Sequence, residues 1–341
     1  MKKLDRRTFA AGLAAVGGAT LLGAGRSVRA AEGGALTLYN GQHAETTNAI
    51  VEAFARQTGI EVAIRRGNSA QLANQIIEEG EASPADVFYS EESAPIAALA
   101  ARGLLAPASP DTIGQVHSRF AAKDGSWVGV SARCRVVAYN VDMIQPAALP
   151  ASLMDFAKPE WRGRVGFVPT SGEFQAQALA IVKLKGRDAA VSWLKGLKDN
   201  GRVYNGNVAA VQAVQRGEIP TALVNNYYWF RVADEVGADR MKCQLHYLGH
   251  KDPGALVTLS GAGVLKSSKR QEMAQRFLAF MVSVPGQQAL VGAVAEYPVR
   301  SDVKSPYALK PLDELDPPDV TPEDIADSDL ARDLRREAGL A

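Results

Sequence analysis

The chain of 341 residues carries 38 Lys and Arg against 37 Asp and Glu, a formal net charge of +1. A balance this even, with no clustered excess of Lys and Arg, excludes the electrostatic footprint of a nucleic-acid or anionic-membrane binder. The length exceeds what one hydrophobic core organises, so two lobes are expected, and two cysteines are too few for a disulfide scaffold.

Residues 1–30 read as an export signal rather than as part of the fold. MKKLDRRTFA supplies Lys2, Lys3, Arg6 and Arg7, the apolar run after it is too short and Gly-rich to span a membrane, and small residues follow at the cleavage point Val28-Arg29-Ala30. Arg6 and Arg7, followed by Thr8 and Phe9, resemble a twin-arginine signal, although Asp5 stands where Ser or Thr is usual. Without these residues the chain holds 32 Lys and Arg against 36 Asp and Glu, a mildly acidic balance.

After the signal, short apolar strands alternate with amphipathic helices, the pattern of an α/β protein with largely parallel sheets. ALTLYN reads as a strand, TTNAIVEAFARQTG as a helix with Ile50, Val51 and Phe54 on one face and Gly59 as its stop, and IEVAIRR as the next strand. SAQLANQIIEEG and ADVFYS repeat the unit and lead into a loop that begins Glu91-Glu92. Two longer apolar strands, SWVGVSARCRVVAYN and ALVTLSGAGVLKSS, are expected to cross between lobes, with hinges near Arg135 and Thr258. On that reading residues 31–135 and 258–309 form an N-terminal lobe, and 136–257 and 310–341 a C-terminal lobe. The Pro-rich, acidic tail from Pro306 is expected to wrap the outside and end in a short helix. Cys134 and Cys243 are open to either a bridge or two buried thiols, and a core this large does not need the bridge.

Ligands of α/β sheets bind in loops beyond the carboxyl ends of strands. His43 follows LTLYNGQ, Glu91 follows ADVFYS, and Tyr227 and Tyr228 follow the strand TALV within NNYYW. Successive side chains of a strand point to opposite faces, so two adjacent phenols aimed at one point require a turn or a helix start there. Two phenols, a carboxylate and an imidazole suit a highly charged transition ion, ferric iron above all, better than calcium or magnesium. Two phenolates and Glu91 would offset the charge of Fe³⁺, with His43 as a neutral ligand. An anion completing the shell has a home at PTSGEFQAQ, where Ser171 or Thr170 can cap a helix starting near Glu173, with Asn207 and Asn225 as further donors.

YNGQHAE, QIIEEGEASPADVFYSEE, PTSGEF, LVNNYYW, DPGALVTLSGAGVLK and AEYPVRSDV together resemble the periplasmic ferric-ion-binding proteins of bacterial iron ABC transporters, from about Leu36 to the C-terminus. The resemblance implies a two-lobe periplasmic-binding-protein fold of the transferrin-like type II, non-enzymatic, and a monomeric carrier that hands Fe³⁺ to an inner-membrane permease. It implies His43, Glu91, Tyr227 and Tyr228 as the metal ligands. It also implies a synergistic anion, phosphate or carbonate, held by Ser171, Gly172, Glu173, Asn207 and Asn225, with Glu92 beside them. Two positions depart from the family pattern: Glu92 stands where similar members carry Gln, and Glu173 where they carry a small residue. An extra carboxylate there repels an anion.

Other features carry less. His246 and His250 have helical zinc spacing, but Gly249 and Pro253 disfavour a helix and no third ligand is evident. His117 reads as a surface residue, and Gly261 and Gly263 read as tight inter-lobe packing rather than a dinucleotide loop. A carrier for an organic solute is the alternative within the same architecture; it would show an aromatic cage with carboxylates poised for an amine. A metallohydrolase would need an open coordination position beside an acid or base, and no GxSxG, HExxH or P-loop occurs.

Overall fold

The computed structural model of the protein describes residues 34–340, so the export signal and its Arg6-Arg7 pair lie outside the described residues. The first half-sheet is built from β1 (Leu36–Asn40), α1 (Ala44–Thr58), β2 (Val62–Arg66), α2 (Ser69–Glu79), β3 (Val87–Ser90), α3 (Ser93–Ala101), β4 (Leu105–Ala106) and the single turn α4 (Pro110–Ile113). β5 (Val128–Asn140) follows, all thirteen residues buried. The second half-sheet adds β6 (Val165–Phe167), α5 (Gly172–Lys185), α6 (Arg187–Asn200), β7 (Arg202–Val203), α7 (Asn207–Gln215), β8 (Thr221–Asn225), α8 (Tyr227–Val236) and β9 (Cys243–His246). The chain returns along β10 (Val257–Leu265), α9 (Gln271–Met281), α10 (Val284–Ala293) and β11 (Tyr297–Pro298), and ends in α11 (Ser328–Glu337).

Local signals explain the first elements. In α1, Ile50 and Phe54 lie one turn apart on the buried face, and Gly59 ends the helix at φ 72°, its N–H donating to the Ala55 carbonyl. Asn68 caps α2 by accepting from the N–H groups of Ala70 and Gln71. Phe54 meets Phe277 at 4.9 Å and Phe280 at 5.3 Å between ring centroids. Truncating such a residue to Ala costs about 3–5 kcal/mol.

The strand order is β2-β1-β3-β10-β5-β8-β6-β7, with β4 on β10 and both β11 and β9 on β5. The βαβαβ start is parallel, as its alternation implies, and so are β6–β7 and β6–β8. The crossing strands are not: β10 runs antiparallel to β3 and β5, and β5 antiparallel to β8, so the sheets are mixed rather than largely parallel. A strand that returns the chain from the second half-sheet to the first enters from the opposite end, which reverses its direction. The β5–β10 ladder ends at Cys134–Val257, and from Arg135 onward β5 pairs with β8 instead. One strand thus serves both half-sheets, and the change of partner falls beside the expected hinges.

One apolar cluster runs from the first half-sheet across β5 onto α7 and α8. A second fills the space between α5, α6 and the other face of the second half-sheet, centred on Phe156, Phe167, Phe174 and Trp193. The tail reaches this second core: Ile325 and Leu334 are buried in it, Lys183 pairs with Asp324 at 2.8 Å, and Arg335 donates to the Pro169 carbonyl at 3.2 Å. Cys134 and Cys243 are buried free thiols, their pKa values pushed up to about 12 by burial. Gly261 packs tightly, since a Cβ there would lie 2.8 Å from the Trp127 ring, but the contact is inside the first half-sheet's core rather than between lobes. Among the described residues no helix is long and apolar enough to cross a membrane.

Candidate metal site

His43, Glu91 and the tyrosine pair occupy the ends of β1, β3 and β8, the three strand ends that the sequence singles out. The β1 loop is set by Asn40, whose side-chain oxygen accepts from Gln42 N–H at 3.2 Å and from the Thr47 hydroxyl at 2.9 Å. Gln42 Oε1 in turn accepts the His43 N–H at 2.8 Å, so the imidazole enters α1 from a held backbone. The Ser69 hydroxyl accepts the Glu91 N–H at 2.9 Å, which ties the β3 loop to the start of α2.

The phenols are placed by a strand that turns directly into a helix. β8 ends at Asn225 and α8 begins at Tyr227, which meets the requirement for a helix start. Asn226 fixes the turn: its N–H donates to the Cys134 carbonyl at 3.1 Å, its oxygen accepts the Cys134 N–H at 3.1 Å, and its amide donates to the Ala295 carbonyl at 3.0 Å. The two tyrosine rings lie 4.2 Å apart at 39°.

These groups converge. His43 Nε2 lies 3.1 Å from Glu91 Oε1 and 3.4 Å from the Tyr227 hydroxyl. The Tyr227 hydroxyl donates to Glu173 Oε1 at 2.9 Å and lies 3.3 Å from Glu91 Oε1, and the Tyr228 hydroxyl donates to the same Glu173 oxygen at 3.0 Å. Residues from both half-sheets therefore touch across the cleft. Among the described residues no three His, Cys, Asp or Glu side chains form a metal cage by themselves.

Burial and charge set the protonation. Burial opposes charge on His43, but the hydrogen bond and charge of Glu91 outweigh it and raise the imidazole's pKa. Burial likewise opposes charge on Glu91, and His43, Arg133 and Tyr227 overcome it and lower the carboxyl's pKa. Both phenols are pushed well above 10, first by burial and then by Glu173, so without a cation they keep their protons. A bound cation reverses that preference, as it does for other buried acidic ligands.

The residues expected at an anion site gather at the start of α5. Ser171 caps this helix, accepting the Phe174 N–H at 3.3 Å, and the helix starts at Gly172, one residue before the expected Glu173. Glu92 lies over the same turn, so close that a side chain at Gly172 would push its carboxylate aside. Burial, with Glu91 and Glu173 adding repulsion, lifts the Glu92 carboxyl to about 8. Asn207 opens α7 with its side-chain oxygen unpartnered and faces Tyr228, while Asn225 accepts from Arg135 Nη1 at 3.2 Å and leaves its own amide unpartnered. A cavity of about 220 Å³ adjoins this corner, lined by Glu92, Thr170, Gly172 and Glu173 and by Ile325 and Ser328 of the tail.

Arg133 and Arg135 are not among the site residues expected from the sequence. Both are buried; Arg133 lies 3.7 Å from Glu296, and Arg135 donates to Gln177 and Asn225. Their signal was present, since two arginines interrupt an apolar strand at period two and so share a face with Ser131. The remaining histidines stay apart from this chemistry: His246 ends β9 paired with Val137, His250 sits in a turn at φ 53°, and His117 caps a short turn through the Arg119 N–H.

Two half-sheets joined by crossing strands, with polar residues converging between them, define the two-lobe periplasmic-binding fold of type II. The chain belongs to the bacterial extracellular solute-binding protein family, whose model matches residues 49–314. It is 46% identical over 308 residues to the major ferric iron-binding protein of Neisseria meningitidis serogroup B, covering 89% of this chain and 93% of that one. It is 38% identical over 306 residues to the Fe(3+)-binding periplasmic protein of Serratia marcescens, covering 89% of this chain and 90% of that one. Its fold superposes on iron-bound HitA from Pseudomonas aeruginosa with a TM-score of 0.87 at 52% identity, over 90% of this chain and 100% of that structure.

Proposed function

We propose that this protein is a non-enzymatic periplasmic carrier that captures Fe³⁺ in the cleft between its lobes and delivers it to an inner-membrane ABC permease. The observation that carries the reading is the convergence of His43, Glu91 and Tyr227 within 3.4 Å of one another, with Tyr228 beside them, from three separate strand ends. Tyr227 and Tyr228 bind as phenolates, Glu91 as a carboxylate and His43 as a neutral imidazole. Oxygen donors of this charge favour the ferric state.

The shell is completed at the start of α5, among Ser171, Gly172, Glu173, Asn207, Asn225 and Glu92, where the resemblance implies phosphate or carbonate. Residues 31–135 with 258–309 act as one lobe and 136–257 with 310–341 as the other. β5 at Cys134–Arg135 and β10 near Thr258 are the hinges, and bending there opens the cleft. The protein is exported by the twin-arginine route and works as a monomer.

The test is a ferric titration of the mature protein followed by visible absorption, beside Tyr227→Phe and Tyr228→Phe. The expected result is a phenolate-to-iron charge-transfer band that saturates at one equivalent and is lost in both variants. A wild type without the band overturns the reading and moves the tyrosines to packing. Small-angle scattering should give a more open envelope without iron than with it.

A further inference from the structure

Glu173 is 4% exposed, and a single oxygen of its carboxylate accepts both phenol protons, at 2.9 Å from Tyr227 and 3.0 Å from Tyr228. A ferric ion that displaced those two protons would meet Glu173 Oε1 beside both phenolate oxygens.

Formal charge favours the same arrangement. The two phenolates, Glu91 and Glu173 supply four negative charges, which Fe³⁺ and the buried Arg135 match. Arg133 lies 3.7 Å from Glu296, whose charge it offsets, and its guanidinium nitrogens make no hydrogen bond; Arg231 pairs with Glu45. A phosphate dianion would leave uncompensated negative charge in a buried cleft, which a low-dielectric site penalises, and an ionised Glu92 would add to the excess. The helix start that could receive an anion faces carboxylates: Glu92 presses on Gly172, and the adjoining cavity is lined by Glu92 and Glu173.

We infer that Glu173 is a direct ligand of the ferric ion and stands where an exogenous anion would otherwise bind, so that this protein holds iron without phosphate or carbonate. The inference rests on the ferric reading above and replaces the exogenous anion of that reading with Glu173.

The experiment loads the mature protein with ferrous chloride oxidised in CO₂-free air, in a phosphate-free sulfonate buffer, and compares wild type with Glu173→Ala and Glu173→Gln. Wild type is expected to develop the full phenolate band, to keep its position when inorganic phosphate is added, and to retain no phosphate with the iron on gel filtration. Glu173→Ala is expected to need phosphate or carbonate, with apparent affinity rising about tenfold or more when phosphate is supplied, a change of about 1.4 kcal/mol. A wild type whose band appears only with phosphate, or that retains one phosphate per iron, overturns the inference while leaving the ferric reading intact. No band under any condition overturns both. The wild-type arm decides the matter even where a variant fails to fold.

Discussion

Gly41 and Ser69 are in such close contact that a Cβ at position 41 would lie 2.2 Å from the Ser69 hydroxyl, the same hydroxyl that accepts the Glu91 N–H. The loops that carry His43 and Glu91 from different strands are therefore locked through one glycine. Gly41 does not have a positive φ, so the requirement is for space and not for an unusual backbone.

Gly41→Ala is accordingly expected to displace Ser69 and misplace both His43 and Glu91. Iron affinity, measured by competition with citrate, should fall about tenfold or more, a loss of at least ~1.4 kcal/mol. Ser69→Ala, which removes only the hydroxyl, should fall less. Equal affinity in Gly41→Ala and wild type would mean that the loops adjust independently.

The His43–Glu91 pair gives iron-free stability a pH window. Glu91 has a lowered pKa, so its contribution is present above the unfolded value of 4.5 and is lost as pH falls through the folded one. His43 has a raised pKa, so its contribution is fully present below 6.5 and is lost as pH rises through the folded value. The melting-temperature difference between wild type and His43→Gln, measured without iron, should peak between those two values and shrink on either side. A difference that stays unchanged from well below 4.5 to well above 6.5 would show that the pair contributes nothing to the closed arrangement.

Glu92 has the opposite sign. Its pKa is raised to about 8 by burial first and by Glu91 and Glu173 next, so the folded protein keeps a proton that the unfolded chain loses above 4.5. Stability therefore declines as pH rises from 4.5 towards 8 on account of this group. Glu92→Gln should raise the iron-free melting temperature at the alkaline end by about 3 °C, an order set by roughly 1 kcal/mol in a chain of this size. The gain should vanish in acid.

Arg133 and Glu296 are both fully buried and lie 3.7 Å apart. Arg133→Met leaves the Glu296 charge alone and should cost about 3–5 kcal/mol in urea unfolding. Arg133→Met combined with Glu296→Gln should recover most of that loss. Failure of the double variant to recover would assign the cost to packing around β5 rather than to the unpaired carboxylate.

Much of this site was legible in the chain because its parts obey local rules. NNYYW had to be a turn or helix start for both phenols to act together, and His43 and Glu91 follow apolar strands of the right length. The direction of the crossing strands was not legible, since reversal follows from which half-sheet the chain returns to and not from the composition of β10. The roles of Arg133 and Arg135 depended on partners far along the chain, Glu296 for one and Gln177 and Asn225 for the other. Glu173 read as a helix-start acid near an anion. That one of its oxygens meets both phenols depends on how α5 and α8 pack over the second half-sheet, a distance no spacing rule supplies.

Asn226 ties the tyrosine turn to the backbone of Cys134, at the place where β5 changes partners. Tyr227, Tyr228 and Glu173 all rise from the second half-sheet, whereas His43 and Glu91 stand on loops of the first. On the proposed ligand set, a parting of the cleft would take the imidazole and its neighbouring carboxylate away together, while the two phenols and Glu173 keep their mutual spacing. Release would then be stepwise, with the second half-sheet's oxygens the last to hold the ion.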